Sequence, residues 1–426
     1  MAQKNPFLWQ KRSYDFFCGE FLMSASTLTA VEMSHIPAHR RFLFNLLQHI
    51  QIGSLDCYTP NGEHLLFSAA EPGPHAVVYI GDWRAVSKII TQGDIGLAEA
   101  YRDGWIDSDD WTQLLLLALL NEKILSPLIE GKWWHKLGYW LKHLTRANTL
   151  RGSRKNIHAH YDLGNDFYQL WLDSSMSYSA AMYHGNHKTP LTTAQINKYD
   201  QILQQLNLTQ NSHILEIGCG WGGFMEYAIE KTGCRIDGLT LSTEQKVWAE
   251  QRLAAKGFAD RGKLQLTDYQ KIKQQYDHIV SIEMFEAVGE QYWKIYFQKI
   301  MECLKPEGKA VIQTITIEDG KFESYRKNTD FIQQYIFPGG MLPSVEKFIA
   351  HARLHGFTTS KPILFGQDYA ETLRRWQHNF ENKLAMVKNL GFDDAFIRLW
   401  RFYLAYCEAG FISGRTDVMQ ITLKRS

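Results

Sequence analysis

The sequence predicts an α/β protein: an open, doubly wound sheet in its C-terminal two-thirds, preceded by a smaller α+β unit. Three observations predict it. From residue 196 onward, short apolar runs alternate with helical stretches, the rhythm of repeated βα units. A glycine-rich turn, LEIGCGWGGF (215–224), joins the first of those runs to the first of those helices. Residues 51–81 instead alternate polar and apolar positions between turn residues, as strands and hairpins do.

The elements follow in order. Residues 1–50 read as helical, with apolar spacing through RRFLFNLLQHI. Strands and hairpins occupy 51–81, and 83–120 reads as helix, loop, helix. The first domain is drawn at 1–130. A linker at 131–155 follows; KWWHKLGYWLKHLTRANTLRGSRK (132–155) holds seven Lys or Arg and no acid, with Trp133, Trp134, Tyr139 and Trp140 among them. Such a basic, aromatic segment suits an anionic bilayer surface, and equally an interdomain helix packed on a neighbour. The catalytic domain is drawn at 156–426. Its strands are read at 213–219, 234–241, 263–269, 276–284, 308–316, 358–365 and 417–424, with two helices between the last two.

Bulk composition narrows the function. The 426 residues are 45% hydrophobic, enough for two or three domains with sizeable cores. A net charge of +1 argues against a nucleic-acid binder. The cysteines (Cys18, Cys57, Cys219, Cys234, Cys303 and Cys407) form no CxxC pair, so they read as reduced thiols of a cytosolic protein, with no metal site. The N-terminus lacks the apolar core of a signal peptide. The longest aliphatic run, LLLLALL (114–120), falls far short of the ~20 residues of a membrane span. A soluble or peripheral protein is expected.

The glycine-rich turn narrows it further. Gly218, Gly220 and Gly223 formally fit GxGxxG, which admits a dinucleotide. Two details argue otherwise. Glu216 lies two residues before the first glycine, and the second strand ends in Thr240 and Ser242 rather than an acid. An acid before GxGxG is the pattern of S-adenosylmethionine (SAM) sites. Ligands of such sheets sit beyond the carboxyl ends of the strands. Those ends offer Thr240 and Gln245, Asp268 and Tyr269 (a hydrogen bond and a stacking face for adenine), and Ile282 to Glu286.

A family likeness now becomes visible. HYDLGNDFYQLWLD (160–173), YSAAMY (178–183), LEIGCGWGGF, LTLSTEQ (239–245), FEAVG (285–289), LKPEGKAVIQTI (304–315), YIFPGGMLPS (335–344) and YLAYCEAGF (403–411) occur in that order. Together they resemble the cyclopropane-fatty-acyl-phospholipid synthases, a group that includes the mycolic acid cyclopropane synthases. The resemblance spans at least 156–426, and the first 130 residues resemble the lipid-engaging N-terminal domain of the bacterial phospholipid enzymes.

The resemblance implies a class I SAM-dependent methyltransferase fold. It implies a cis double bond of a membrane phospholipid acyl chain as substrate. The alkene takes the sulfonium methyl, a carbocation forms, and loss of a proton from the new methyl closes a cyclopropane ring. It implies bicarbonate as the base, a peripheral place on the inner face of the membrane, and is compatible with a homodimer. By motif position, Tyr178, Ser179, Glu216, Gly218, Gly220, Gly222, Thr240, Gln245, Asp268, Tyr269 and Ile282 would hold SAM. Glu286 and Tyr369 would sit in the bicarbonate site, and Cys407 matches the family's marked active-site cysteine, a position that core packing also explains. Trp171, Tyr178, Phe285, Tyr292, Trp293, Tyr335, Phe337 and Tyr369 are candidates to line a carbocation pocket.

The chain departs from the family pattern at three positions. Ala180 stands where Cys is common, and Gln313 and Ala287 where His is common. Gln313 can donate a hydrogen bond but brings no charge. Ring closure is therefore the step in question, and a methyl-branched or methylene chain is the alternative product. A non-catalytic lipid- or SAM-binding protein is a further one. Residues 318–344 read as a substrate-side cap. Glu290 reads as a first-turn helix acid; Glu283 has no assignment from the sequence.

Overall fold

A computed structural model describes residues 38–130 and 163–426. The basic segment at 132–155 and most of the first predicted helix lie outside the described residues.

The first unit runs α1 (Ala38–Leu47), β1 (Ile52–Tyr58), β2 (His64–Ser68), β3 (Glu71–Ile80), α2 (Arg84–Arg102), β4 (Ile106–Ser108), α3 (Trp111–Leu120) and α4 (Glu122–Glu130). Its sheet has the order β2-β1-β3-β4, with β1 and β3 parallel and the outer pairs antiparallel. Burial alternates strictly along β1, so Leu55 and Cys57 face inward while Ser54 and Asp56 do not. Period-two patterning of that kind covers one face only. Helix α3, WTQLLLLALL, is apolar nearly all round because two layers claim it: the sheet on one side and the C-terminal helix of the chain on the other.

Helix α2 breaks at Gly93, whose φ of 64° and ψ of −136° only glycine adopts readily. Gly96 follows in the next turn, where a Cβ would stand 2.3 Å from the Lys88 carbonyl oxygen.

The second unit holds α5 (Asn165–Gln169), α6 (Leu191–Leu206), β5 (His213–Ile217), α7 (Gly223–Thr232), β6 (Arg235–Thr240), α8 (Thr243–Ala255), β7 (Gly262–Leu266), β8 (Tyr276–Ile282), α9 (Trp293–Cys303) and β9 (Leu304–Ile317). It closes with α10 (Val345–Leu354), β10 (Phe357–Thr359), β11 (Ile363–Leu364), α11 (Gly366–Asn382), α12 (Asp394–Ile412) and β12 (Thr416–Arg425). The sheet order is β10-β12-β9-β8-β5-β6-β7. Strands β5 to β9 are parallel, and β12 runs antiparallel to β9. This is the class I methyltransferase fold expected from the sequence. Chain order reverses between β5 and β8, so the sheet opens a crevice where the glycine-rich turn leaves β5.

Several strand boundaries shift by one to three residues, and two places differ more from the reading. The strand predicted at 358–365 is two short pieces, because Pro362 between them has no N–H to give the ladder. Strand β9 begins at Leu304 rather than Gly308.

Helix α12 lies between α11 and the α2–α3 pair of the first unit. One buried apolar cluster runs from Leu43 and Phe44 through Trp111 to Phe402 and Phe411. Polar ties reinforce it. Thr112 Oγ1 donates to Glu408 Oε2 (3.0 Å), whose other oxygen accepts from Arg374 (3.0 Å). Tyr406 Oη and the Phe331 N–H both donate to Asp94 Oδ2, at 2.9 and 3.1 Å. Among the described residues, no helix is long and apolar enough to cross a membrane.

Gly96→Ala drives a methyl group into backbone rather than into a movable side chain. The expected cost is about 1–3 kcal/mol, read as a lower urea midpoint with an unchanged slope.

Candidate active site

A cavity of about 580 Å³ opens at the carboxyl ends of β5, β6, β7 and β8 and continues between α2, α3 and α12. Its size is that of a ligand site rather than a packing defect.

The β5 end of the cavity is built from an acid and glycines. Glu216 is 2% exposed and lines the cavity, its Oε2 is buried without a partner, and burial pushes its carboxyl up to about 8 against the pull of Lys198. Gly218 and Gly220 have φ of 83° and 51°, and a Cβ on Gly220 would meet nothing within 4 Å. That open face is where a ligand can approach backbone. Thr240 Oγ1 donates to Gln245 Oε1 (2.8 Å), and Ser242 caps α8. Asp268 accepts from the Gln270 N–H (2.9 Å), which fixes the turn after β7, and Tyr269 leans on Tyr296. Tyr178, Ser179 and Ile282 line the same cavity. An orphaned buried carboxyl oxygen beside an open glycine face fits the amino-acid end of SAM. Asp268 and Tyr269 fit its adenine end.

Gly222 is an exception. It does not line the cavity; a Cβ there would stand 2.9 Å from that of Ala249. Its glycine serves the close approach of α7 to α8, not the cofactor.

The expected anion site proves to be filled by the chain itself. Glu283 follows the last residue of β8 with a φ of 48°, a left-handed conformation that costs a non-glycine residue about 1–3 kcal/mol. The conformation turns its carboxylate to three donors. Oε1 accepts from the Ala180 N–H (2.8 Å) and from Gln313 Nε2 (2.7 Å), and Oε2 accepts from Tyr369 Oη (2.8 Å). Its remaining accessible area faces the cavity. Burial pushes the Glu283 carboxyl up; Lys198 and the three donors pull it back toward the anion. Tyr369 is held well above the ordinary phenol range by burial and by Glu283, so it keeps its proton and donates.

The expected bicarbonate site holding Glu286 and Tyr369 is corrected by this. Tyr369 donates to Glu283. Bicarbonate does not fit, because the positions expected to hold it already serve a carboxylate: Ala180 through its N–H, Gln313 and Tyr369 through their side chains. Gln313 lies behind Glu283, off the cavity wall.

Glu286 lines the cavity nearby. Its Oε1 accepts from Thr314 Oγ1 (2.9 Å) and the Ile315 N–H, and its Oε2 is buried without a partner. Burial, and then the charge of Glu283, push it up to about 8. Its backbone carbonyl accepts from the Met341 N–H (2.8 Å), pinning the segment 318–344 over the site. Thr329, Phe337 and Met341 of that segment line the cavity.

Cys407 lies on α12 against the cavity, and burial, with Asp330, pushes its thiol far up. A thiol held protonated is wall rather than nucleophile. Among the aromatic candidates, Tyr178, Phe337 and Tyr369 line the cavity. Phe285 and Trp293 are fully buried in a separate core cluster, and Trp171 packs behind Tyr178 at 5.4 Å. Tyr335 and Tyr292 are off the wall as well. The reading missed Tyr403 and Tyr406 on α12, both on the wall; Tyr403 shares a 2.7 Å hydrogen bond with Tyr178. A period of three to four along YLAYCEAGF was the available signal. It also missed Lys198, fully buried beside Ser179. Among the described residues no group of three or more metal-ligating side chains occurs.

Known proteins resemble the chain over most of its length. A family profile described as mycolic acid cyclopropane synthetase matches residues 148–421. A tuberculostearic acid methyltransferase of Mycobacterium tuberculosis is 38% identical over 372 residues, covering 84% of this chain and 85% of its own. A cyclopropane-fatty-acyl-phospholipid synthase of Escherichia coli is 30% identical over 342 residues, covering 79% and 85%. A crystal structure of the mycolic acid cyclopropane synthase CmaA1, complexed with SAH and CTAB, superposes with a TM-score of 0.60 at 31% identity, over 64% of this chain and 98% of that one.

Two carboxyls in one dry pocket do not both ionise near neutrality. Glu286 is expected to stay protonated at pH 7 and to ionise as pH rises through about 8. Infrared difference spectra across that range should show a buried carboxylic-acid band that Glu286→Gln removes.

Proposed function

The chain belongs to the mycolic acid cyclopropane synthetase family and is a SAM-dependent fatty acyl methyltransferase, and from that premise we propose that it adds one carbon to a cis double bond of a membrane phospholipid acyl chain, with Glu283 as its built-in base and a methylene-bearing chain as product. The observation that carries this is the convergence of the Ala180 N–H, Gln313 and Tyr369 on the Glu283 carboxylate.

Bound SAM supplies an electrophilic methyl group. The chain's own residues do the rest. Glu216, Gly218, Gly220, Asp268 and Tyr269 hold the cofactor at the strand ends. Tyr178, Phe337, Tyr369 and Tyr403 line the cavity and offer aromatic faces to the cationic acyl chain, each worth about 0.5–2 kcal/mol when water is excluded. Glu283 supplies the opposing negative charge and takes up the proton. A carboxylate has about four acceptor sites. Oε1 accepts two hydrogen bonds and Oε2 one, so Oε2 is the oxygen left free to bind a proton.

The position of that oxygen is fixed to the backbone of β8. A tethered base selects which proton is lost. Methyl transfer leaves the cation on the neighbouring carbon; a hydride shift from the methyl-bearing carbon to that neighbour moves the cation to the methyl-bearing carbon, and loss of a methyl proton then gives a methylene branch, the added methyl less one proton being a net CH2. Saturation to a methyl branch would require hydride from a separate reductant. The similarity to a tuberculostearic acid methyltransferase over most of the chain favours this product over the ring. The cavity's apolar branch, walled by Leu55, Val78, Ile95, Leu115 and Leu117 of the first unit, takes the far part of the acyl chain.

Three outcomes test the proposal. Acyl chains from cells expressing the protein should gain one CH2, with vinylidene carbons in the NMR spectrum; cyclopropyl signals instead would identify the ring-closing reaction. Glu283→Gln should lower turnover by about 10²–10⁴-fold with little change in SAM affinity measured by calorimetry. Glu283→Gly should also be inactive, but it frees the three donors and relieves the left-handed backbone. Added formate or bicarbonate should then restore part of its activity.

A further inference from the structure

Helix α6 carries a cation with no exposed surface. Lys198 is 0% exposed, and its Nζ donates to Ser179 Oγ (2.7 Å) and Gln195 Oε1 (2.5 Å). Both partners are neutral oxygens, and the Tyr199 ring lies 4.7 Å away. A buried ammonium is costly unless something offsets its lost hydration. Burial lowers its pKa to about 8, and the carboxyl groups of Glu283, Asp173 and Glu216 pull the other way.

Two chains of hydrogen bonds lead from Lys198 to the donors of Glu283. The first runs through the turn at 179–180. Lys198 holds the Ser179 hydroxyl, Gln195 Nε2 holds the Ser179 carbonyl (3.0 Å), and the next residue's N–H, that of Ala180, donates to Glu283. The second runs through β12. Gln420 Nε2 donates to the Lys198 carbonyl (3.3 Å) and to Gln313 Oε1 (3.0 Å), which turns the Gln313 amide nitrogen toward Glu283. Every atom of both chains is well buried or faces the cavity.

We propose that Lys198 is a positioning residue whose buried ammonium is the counter-charge that keeps Glu283 anionic and whose hydrogen bonds set the Ser179–Ala180 turn. This rests on Glu283 as the base. Glu283 is also faced by Glu286 from the turn after β8 and by Tyr369 from α11, with Tyr178 and Cys407 around Tyr369. Only Lys198 among these groups is a cation.

The sign of the effect is fixed. Glu283 acts as a base only when ionised, so turnover is lost as pH falls through its pKa. Lys198 lowers that pKa, and removing its charge raises it. In Lys198→Met the acid limb of the kcat–pH profile should move up by about one unit or more. Lys198→Arg, which restores the charge, should move it back. Ser179→Ala, which keeps the ammonium and removes a hydrogen bond, should lower kcat and leave the limb in place. Should Lys198→Met not fold, Lys198→Gln keeps a polar partner for Ser179 and should give the same shift.

The second readout is independent of activity. In ¹³C-glutamate-labelled protein, the carboxyl signal assigned by its loss in Glu283→Gln should titrate at higher pH once Lys198 is neutralised. An unmoved titration overturns the proposal. A moved titration in a protein whose Glu283→Gln variant still turns over would leave Lys198 as the counter-charge and remove Glu283 as the base.

Discussion

One buried carboxylate constrains much of this structure. Burial pushes the Glu283 carboxyl up, so it is held as an anion only where the fold supplies what water would have given. Three hydrogen bonds do so, and they come from three separate places: the loop before α6, the middle of β9 and the first turn of α11. None of these is near the others in sequence. The carboxylate can exist as an anion only when the sheet, its C-terminal helices and the 177–180 loop are assembled together. The left-handed backbone at Glu283 adds a cost that this assembly must offset. Such strain persists when the surroundings over-determine the conformation, and three donors plus a buried cation do that here.

The same constraint orders the rest of the pocket. Like charges side by side cannot both persist in a low-dielectric site. Glu283 has three donors and Lys198; Glu286 has Thr314, one backbone N–H and an unpartnered oxygen. The better-solvated group therefore takes the charge and its neighbour takes the proton. Glu216, farther along the crevice, shares the influence of Lys198 and keeps a free oxygen for a cationic ligand.

Much of this was legible in the sequence, and the misses have physical reasons. Alternating runs gave the sheet because period and polarity depend on local chain geometry. The acid before the glycines and the strand-tip residues were found because a parallel sheet has a defined ligand end. Choosing between Glu283 and Glu286 was different. They lie three residues apart, and which one meets Tyr369 depends on a single backbone angle set by distant contacts. Gly222 looked like part of the cofactor cradle because one glycine pattern serves both ligand approach and helix packing. Lys198 was passed over because a lysine on a helix is ordinarily solvated. Nothing within the helix says that its fourth side is covered by β12 and the 177–180 loop.

The first unit acquires a role from the chemistry rather than from its own fold. In the proposed reaction a carbocation in contact with water would be captured by it, so the acyl chain has to be enclosed along its length. The catalytic sheet provides polar groups at one end of the cavity only. The apolar walls farther along come from α2, α3 and the sheet of the first unit, and the segment 318–344 closes over the junction. That segment is tied to both sides, through Asp94 to the break in α2 and through Met341 to the carbonyl of Glu286. A displacement of the first unit would thus be felt at the residue beside the base. In the proposed reaction, enclosure and proton removal share one connected structure, which gives a small α+β unit with a single covered sheet face a reason to pack against a methyltransferase core.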